Sequence, residues 1–119
     1  MNQISGKKII ISGLVSSKLN LEEYLIPIRS QIINQGGKII GELVQRRGVS
    51  RSKKPGGSKM LDLPLSSRTY ISKGKIEELK KLSNNLNPDI IVFINNLTES
   101  QIQNIENLIE IKVEKIIAE

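Results

Sequence analysis

The chain has 119 residues, enough for one domain with a buried core, and only 3% of its residues are aromatic, so that core must be aliphatic. It contains neither Cys nor His, which excludes disulfides, thiolate nucleophiles, imidazole bases and the usual zinc ligands. No apolar run approaches the roughly 18 residues that a membrane helix needs. We therefore expect a cytoplasmic protein without a metal site and without a membrane partner.

The first half of the chain alternates predicted strands and helices. A near-continuous apolar run at 8–15 predicts a strand buried on both faces. Asn20 is a predicted N-cap, and Pro27 in the following helix indicates either a kink or a later helix start. The apolar stripe of this helix comprises Leu21, Leu25, Ile28 and Ile32. A second strand is predicted at 38–45, and no regular structure is predicted from 46 to 64.

The second half continues the alternation. Its predicted elements are a short strand at 68–71, a helix at 75–86, a strand at 89–95, a helix opened by a capping box at Thr98, and a last strand at 112–118. The residues expected to face inward are Ile76, Leu79, Leu82 and Leu86 in the first helix, and Ile102, Ile105, Leu108 and Ile109 in the second. These helices would cover the strands that flank them.

This alternation predicts an α/β fold in which helices flank a small, mostly parallel sheet of four or five strands, with residues 1–119 forming a single domain. In such sheets ligands bind beyond the carboxyl ends of the strands. The segments that leave those ends are 16–18, the segment from Arg46, 72–75 and 95–96. If the strands are parallel, cations from three of these segments converge at one edge.

One segment accounts for the whole excess of positive charge. Between Leu43 and Leu61 there is no acidic residue, and the six cations are Arg46, Arg47, Arg51, Lys53, Lys54 and Lys59. The chain has 18 Lys plus Arg and 12 Asp plus Glu, so without these six it would be neutral. A basic loop at about 46–64 is suited to binding the phosphates of RNA. The alternative is a solvated loop that keeps the protein soluble.

A second, weaker phosphate signal is the Lys-Gly-Lys sequence at a predicted strand-to-helix turn. Together with the turn after the first strand it predicts, as an alternative function, a nucleotide site for ATP or GTP with at most slow hydrolysis. Its residues would be Ser17, Lys18, Ser72, Lys73, Gly74 and Lys75. The alternative is a turn glycine between two solvated lysines, with Ser72 serving only as an N-cap. No P-loop is present, because Lys18 stands where its second glycine should be.

No catalytic residue is predicted. The paired carboxylates Glu22-Glu23 and Glu77-Glu78 lie on predicted outer helix faces near N-termini, where acidic residues are favoured in any case. With only one Phe, two Tyr and no Trp, base stacking cannot be a major mode of binding either. The residues themselves favour a binding module over an enzyme.

Three blocks of sequence closely resemble the N-terminal domain of the HflX-type GTPases. They are 37–47, with a glutamine and basic residues after the second strand; 69–79, the Thr-Tyr-Ile-Ser-Lys-Gly-Lys-Ile-Glu-Glu-Leu stretch; and 88–106, a strand followed by the Leu-Thr-Glu-Ser-Gln helix start. The resemblance runs from about Lys7 to Val113. Ser72 stands where the family usually has glycine.

The resemblance implies contact with the large ribosomal subunit and its RNA, or binding of an adenine nucleotide. The family's helical hairpin and GTPase domain would follow beyond Glu119, so the resemblance implies no GTP hydrolysis by this chain. It leaves open whether the chain is a stand-alone protein or a truncated piece of a longer HflX GTPase. A free sheet edge would allow a homodimer.

Overall fold

A computed structural model describes residues 4–16, 20–47 and 68–116. The described strands are β1 (Lys8–Ser16), β2 (Lys38–Arg47), β3 (Ile90–Phe93) and β4 (Lys112–Lys115). The described helices are α1 (Leu21–Asn34), α2 (Lys73–Leu86) and α3 (Glu99–Ile109). The predicted α/β fold class is confirmed.

The four strands form one parallel sheet in the order β2-β1-β3-β4. β1 pairs with β2 along its whole length, from Lys8 opposite Lys38 to Ser16 opposite Arg47. Its pairing with β3 is shorter and ends at Ser12 opposite Phe93. Because all strands are parallel, the carboxyl ends share one edge of the sheet, which we call the carboxyl edge; the opposite edge is the amino edge.

Each face of the sheet is covered by its own helices, because alternate residues of a strand point to opposite faces. On one face α1 packs on Ile9, Ile11 and Val92. On the other face α2 and α3 pack on Ile10 and Phe93. The central strands β1 and β3 are therefore buried on both faces, as their near-continuous apolar sequence predicts.

The helix α1 begins directly after its cap. The Asn20 side chain accepts a hydrogen bond from the Glu23 N–H, and Pro27 lies inside the helix. The alternative of a later helix start is therefore wrong. The buried residues of the helix are Leu25, Ile28 and Ile32, and Leu21 is half-buried, so the predicted apolar stripe is confirmed.

The helices α2 and α3 also begin at side-chain caps. Ser72 caps α2, which begins at Lys73, two residues before the predicted start, and Thr98 forms the predicted capping box with Gln101. Two residues expected to face inward do not: Leu86 is 37% exposed and Leu108 is 48% exposed. Leu108 is exposed because the buried stripe of α3 is centred on Ile105 and Ile109.

Other sequence-based expectations about the strands are corrected. Residues 68–71 form a turn and not a strand, since the Ile71 N–H donates to the Thr69 carbonyl at 2.8 Å. Arg46 and Arg47 belong to β2, which continues pairing with β1 beyond the predicted end at residue 45. β3 is shorter than predicted, and β4 ends at Lys115; residues 117–118 of the predicted last strand lie outside the described residues.

Within the described ranges, no helix has the length and apolar character needed to cross a membrane.

Candidate nucleic-acid interface

The carboxyl edge holds the part of the basic segment that the structure describes. Arg46 and Arg47 are the last residues of β2, opposite Val15 and Ser16, and the Arg46 side chain is exposed. Other predicted site residues lie outside the described residues: Ser17, Lys18, Arg51, Lys53, Lys54 and Lys59.

The side chain of Gln45 joins the end of β2 to the start of α2. Its Oε1 accepts a hydrogen bond from the Ser72 N–H at 2.9 Å, and its Nε2 donates to Ser72 Oγ at 2.9 Å. Both polar atoms of the amide are used in a contact between residues 27 positions apart. The chain thus leaves the carboxyl edge at the end of β2 and returns to it at the start of α2, so that Gln45 and Ser72 are in contact.

The returning chain enters α2 through a strained turn. Tyr70 is the central residue of a three-residue γ-turn closed by the Ile71 N–H and the Thr69 carbonyl, and its φ is 74°. A non-glycine residue in this region costs about 1–3 kcal/mol, and such strain often marks functional sites. The Thr69 hydroxyl supports the turn by donating to the Ile71 carbonyl at 2.9 Å.

The same turn borders a groove between α2 and α3. Asn104 of α3 donates from Nδ2 to the Arg68 carbonyl at 3.1 Å and so fixes the turn to the helix layer. The groove has a volume of about 480 Å³. Its lining residues include the exposed cations Arg68 and Lys73, the amides of Asn104 and Asn107, and the exposed Leu108. The acidic residue Glu77 lines the same groove.

The residues predicted to bind nucleotide at the start of α2 have other partners in the fold. Ser72 Oγ accepts from the Lys75 N–H at 3.2 Å as well as from Gln45, so its N-cap role is confirmed. Lys75 Nζ lies 3.2 Å from Glu78 Oε1. A Cβ added at Gly74 would meet nothing within 4 Å, so no close backbone approach requires glycine there. The nucleotide site stays a prediction.

The gap between the ends of β1 and β3 is the topological switch point, where open α/β sheets bind ligands. Here the Asn95 side chain bridges it: Oδ1 accepts from the Leu14 N–H at 2.7 Å and Nδ2 donates to the Leu14 carbonyl at 3.0 Å. Gly13 permits this approach, because a Cβ there would lie 2.6 Å from both Asn95 Oδ1 and Ile94 Cγ1. The Asn95 side chain therefore continues the hydrogen bonding between β1 and β3 beyond the end of β3.

An ion-pair network lies between α1 and β2. The Arg29 guanidinium contacts Glu42 at 2.6 Å and Glu22 at 2.9 Å. Hydrogen bonds to Glu42 and then Glu22 raise the pKa of Arg29, and the hydrogen bond from Arg29 lowers the pKa of Glu22 below its usual 4.5. Arg29 stays charged at every accessible pH, and the two carboxylates beside it, Glu22 and Glu42, neutralise its charge.

No group of three or more potential metal ligands occurs among the residues that the structure describes. The carboxylate pairs predicted to be structural are exposed on α1 and α2. The start of α2 therefore carries both cations and carboxylates, Lys73 and Lys75 beside Glu77 and Glu78.

Sequence reasoning located the cations but missed the side chains that arrange them. Gln45, Asn104 and Arg68 gave no local signal, because their partners are distant in sequence or are main-chain groups. The one available hint for Gln45 is that a glutamine at this position is typical of the HflX resemblance. The half-buried Asn104 is also part of the stretch that resembles the family, but no pattern within the chain itself distinguishes it from the exposed amides Gln103 and Asn107 of α3.

Comparisons with known proteins agree with the resemblance. A family profile described as "GTP-binding GTPase N-terminal" matches residues 33–115. The chain is similar to the GTPase HflX of Caldanaerobacter subterraneus subsp. tengcongensis, with 30% identity over 108 residues that make up 90% of this chain. The chain spans 21% of the length of that relative. The protein thus belongs to the family of HflX-type GTP-binding GTPase N-terminal domains.

Proposed function

We propose that this chain is the RNA-binding module of an HflX-like GTPase, and that cations at its carboxyl edge contact ribosomal RNA of the large subunit. The observation that carries the proposal is the pair of hydrogen bonds between Gln45 and Ser72. They keep the end of β2, where the basic segment begins, next to the start of α2 and its exposed Lys73. The six cations between Leu43 and Leu61 start at this edge and supply the net charge of +6.

Binding through these cations would be dominated by phosphate contacts. Each neutralised phosphate releases counterions, so six contacts would give a slope of log affinity against log salt of about −4 to −5. Phosphate contacts carry no sequence information, and three aromatic residues offer little base stacking. We therefore expect steep salt dependence and little base specificity.

The GTP hydrolysis that the name of the relative implies for that protein is not proposed for this chain. The chain contains no P-loop and covers 21% of the relative. Its own contribution would be to place the longer protein on RNA. Incubated alone with GTP, it should release no more phosphate than buffer does.

The test is co-sedimentation of the purified chain with large ribosomal subunits over a salt series. We expect the chain to pellet at low salt and to be released as salt rises, because the contacts are ionic. A variant with the six cations of the basic segment changed to Ser should remain in the supernatant.

A matched control removes six exposed lysines elsewhere, which keeps the net charge of the two variants equal. The lysines changed to Ser are Lys7, Lys8, Lys38, Lys80, Lys81 and Lys112. This control should still pellet at low salt. Equal loss in both variants would reduce the effect to overall charge, and absence of pelleting by the unaltered chain would end the proposal.

A further inference from the structure

We propose that Gln45 is a positioning residue for RNA binding, because its amide fixes the spacing between the cations at the end of β2 and those at the start of α2. This inference rests on the proposed function. It assigns a role to a neutral side chain that would not itself touch RNA. The charged residues would make the contacts, and Gln45 would hold them in register.

The first reason is the geometry of the contact. Two hydrogen bonds of 2.9 Å each use both polar atoms of the Gln45 amide, so the side chain is held in one orientation. Ser72 supplies both a main-chain donor and a hydroxyl acceptor. Such a two-point contact restrains both distance and angle, whereas a single hydrogen bond would leave the two segments free to rotate about it.

The second reason is the neighbourhood of the two residues. Gln45 directly precedes Arg46 and Arg47 on β2. Ser72 directly precedes Lys73, and Arg68 lies at the start of the same turn, where Asn104 holds its carbonyl. Each partner therefore carries cations within a few residues. Fixing Gln45 against Ser72 fixes these two groups of charges relative to each other.

The third reason is that the fold has other means of holding these elements. β2 pairs with β1 as far as Arg47, and α2 is packed into the core through Ile76 and Leu79. The Gln45 contact lies at the margin and is only partly buried. Its removal should leave the sheet and the helix layer assembled while the carboxyl edge loosens.

A preorganised edge binds more tightly, since less conformational freedom is lost on binding. Replacing Gln45 should therefore weaken binding without changing how many phosphates are contacted. Affinity and salt slope then separate two roles. A cation that touches phosphate lowers both when it is removed, whereas a positioning residue lowers affinity alone.

The experiment measures binding of a fluorescein-labelled, mixed-sequence RNA hairpin by anisotropy over a salt series. We expect Gln45→Ala to weaken binding about fivefold to tenfold with an unchanged salt slope. Ser72→Gly keeps the main-chain donor and loses the hydroxyl, so its effect should be intermediate. The double variant Arg46→Ser, Arg47→Ser should reduce the slope by about 1–2.

Two controls keep the outcome decisive. Gln103→Ala removes an exposed glutamine from α3 and should bind like the unaltered chain. The affinity of each variant is measured at a temperature below its thermal unfolding midpoint. If Gln45→Ala fails to fold, Gln45→Met replaces it, because methionine keeps the length of the side chain without its polar amide.

The possible failures are distinguishable. If the folded Gln45 variant binds as tightly as the unaltered chain while the double arginine variant loses affinity, the positioning role is overturned and the RNA-binding function stands. If the unaltered chain does not bind the hairpin, or if the arginine variant keeps its affinity and slope, both the proposed function and this inference are overturned.

Discussion

The two edges of the sheet are closed by different kinds of contact. At the amino edge the chain is held mainly by main-chain hydrogen bonds, among them Gly6 N–H to the Gly36 carbonyl at 2.9 Å and Lys38 N–H to the Lys7 carbonyl at 2.8 Å. At the carboxyl edge, side chains add several contacts to the main-chain hydrogen bonds: Gln45, Asn95 and Lys115 each bond a group on a neighbouring segment.

This difference determines at which edge of the sheet a single substitution can remove a contact. Main-chain contacts depend on close approach of the backbone, so they are disturbed chiefly where a side chain is forced into the gap. Side-chain contacts can be removed one at a time by single substitutions. The amino edge therefore acts as scaffold, and the carboxyl edge can be altered in small steps while the core stays intact.

The largest expected change in the free energy of unfolding comes from a substitution at the amino edge. In Gly37→Ala the new Cβ would collide with Ile4 Cγ2 and would lie 2.8 Å from Ile32 Cγ2 and 3.2 Å from the Ile32 carbonyl oxygen. Such overpacking against buried residues should lower the free energy of unfolding by about 2–3 kcal/mol. Urea denaturation measures this, and a loss below about 1 kcal/mol would show that the amino edge can relax.

A smaller effect is expected at the carboxyl edge. Asn95→Ala removes both hydrogen bonds to the main chain of Leu14. Because Leu14 is only 6% exposed, its N–H and carbonyl groups lose these partners in a buried position. The free energy of unfolding should fall by about 2 kcal/mol. Asn85→Ala, at an exposed position of α2, is the matched control and should stay within about 0.5 kcal/mol. Equal effects would remove the distinction between Asn95 and a surface amide.

The smallest effect has the opposite sign and sharpens the comparison between glycines. Gly74 lies in α2 with open space around its Cβ position, in contrast to Gly37. Gly74→Ala should raise the free energy of unfolding by up to about 1 kcal/mol, because alanine restricts the unfolded chain and favours helix. RNA binding should be unchanged. A loss of stability on urea denaturation would mean that the start of α2 needs glycine after all.

The fold was largely predictable because its signals are local. The apolar run of β1, the Asn20 cap of α1 and the capping box of Thr98 each lie within a few residues of the element that they define. The spacing of the apolar residues along each strand or helix then predicts which of them are buried, because residues at that spacing lie on the same face. The all-parallel sheet follows in turn from the alternation of the elements.

The errors fall where distant contacts decide the structure. Thr69, Tyr70 and Ile71 have strand-favouring side chains, yet they form a turn whose position is fixed by Gln45 and Asn104. The start of α2 was predicted two residues late, since lysine and glycine are weak starting residues and the Ser72 cap outweighs them. Of the candidate site, charge located the cations, but no local pattern could supply their spacing.

The contact between Gln45 and Ser72 also bears on how long the intervening segment needs to be. The two residues are 27 positions apart. The entropy cost of bringing two residues of an unfolded chain together grows only with the logarithm of the number of residues between them. Halving or doubling that length would change the closure free energy by only about 0.6 kcal/mol. Folding therefore places little constraint on the number of residues between them. Insertions and deletions there would leave the attachment of the chain to the sheet, between Gln45 and Ser72, unchanged.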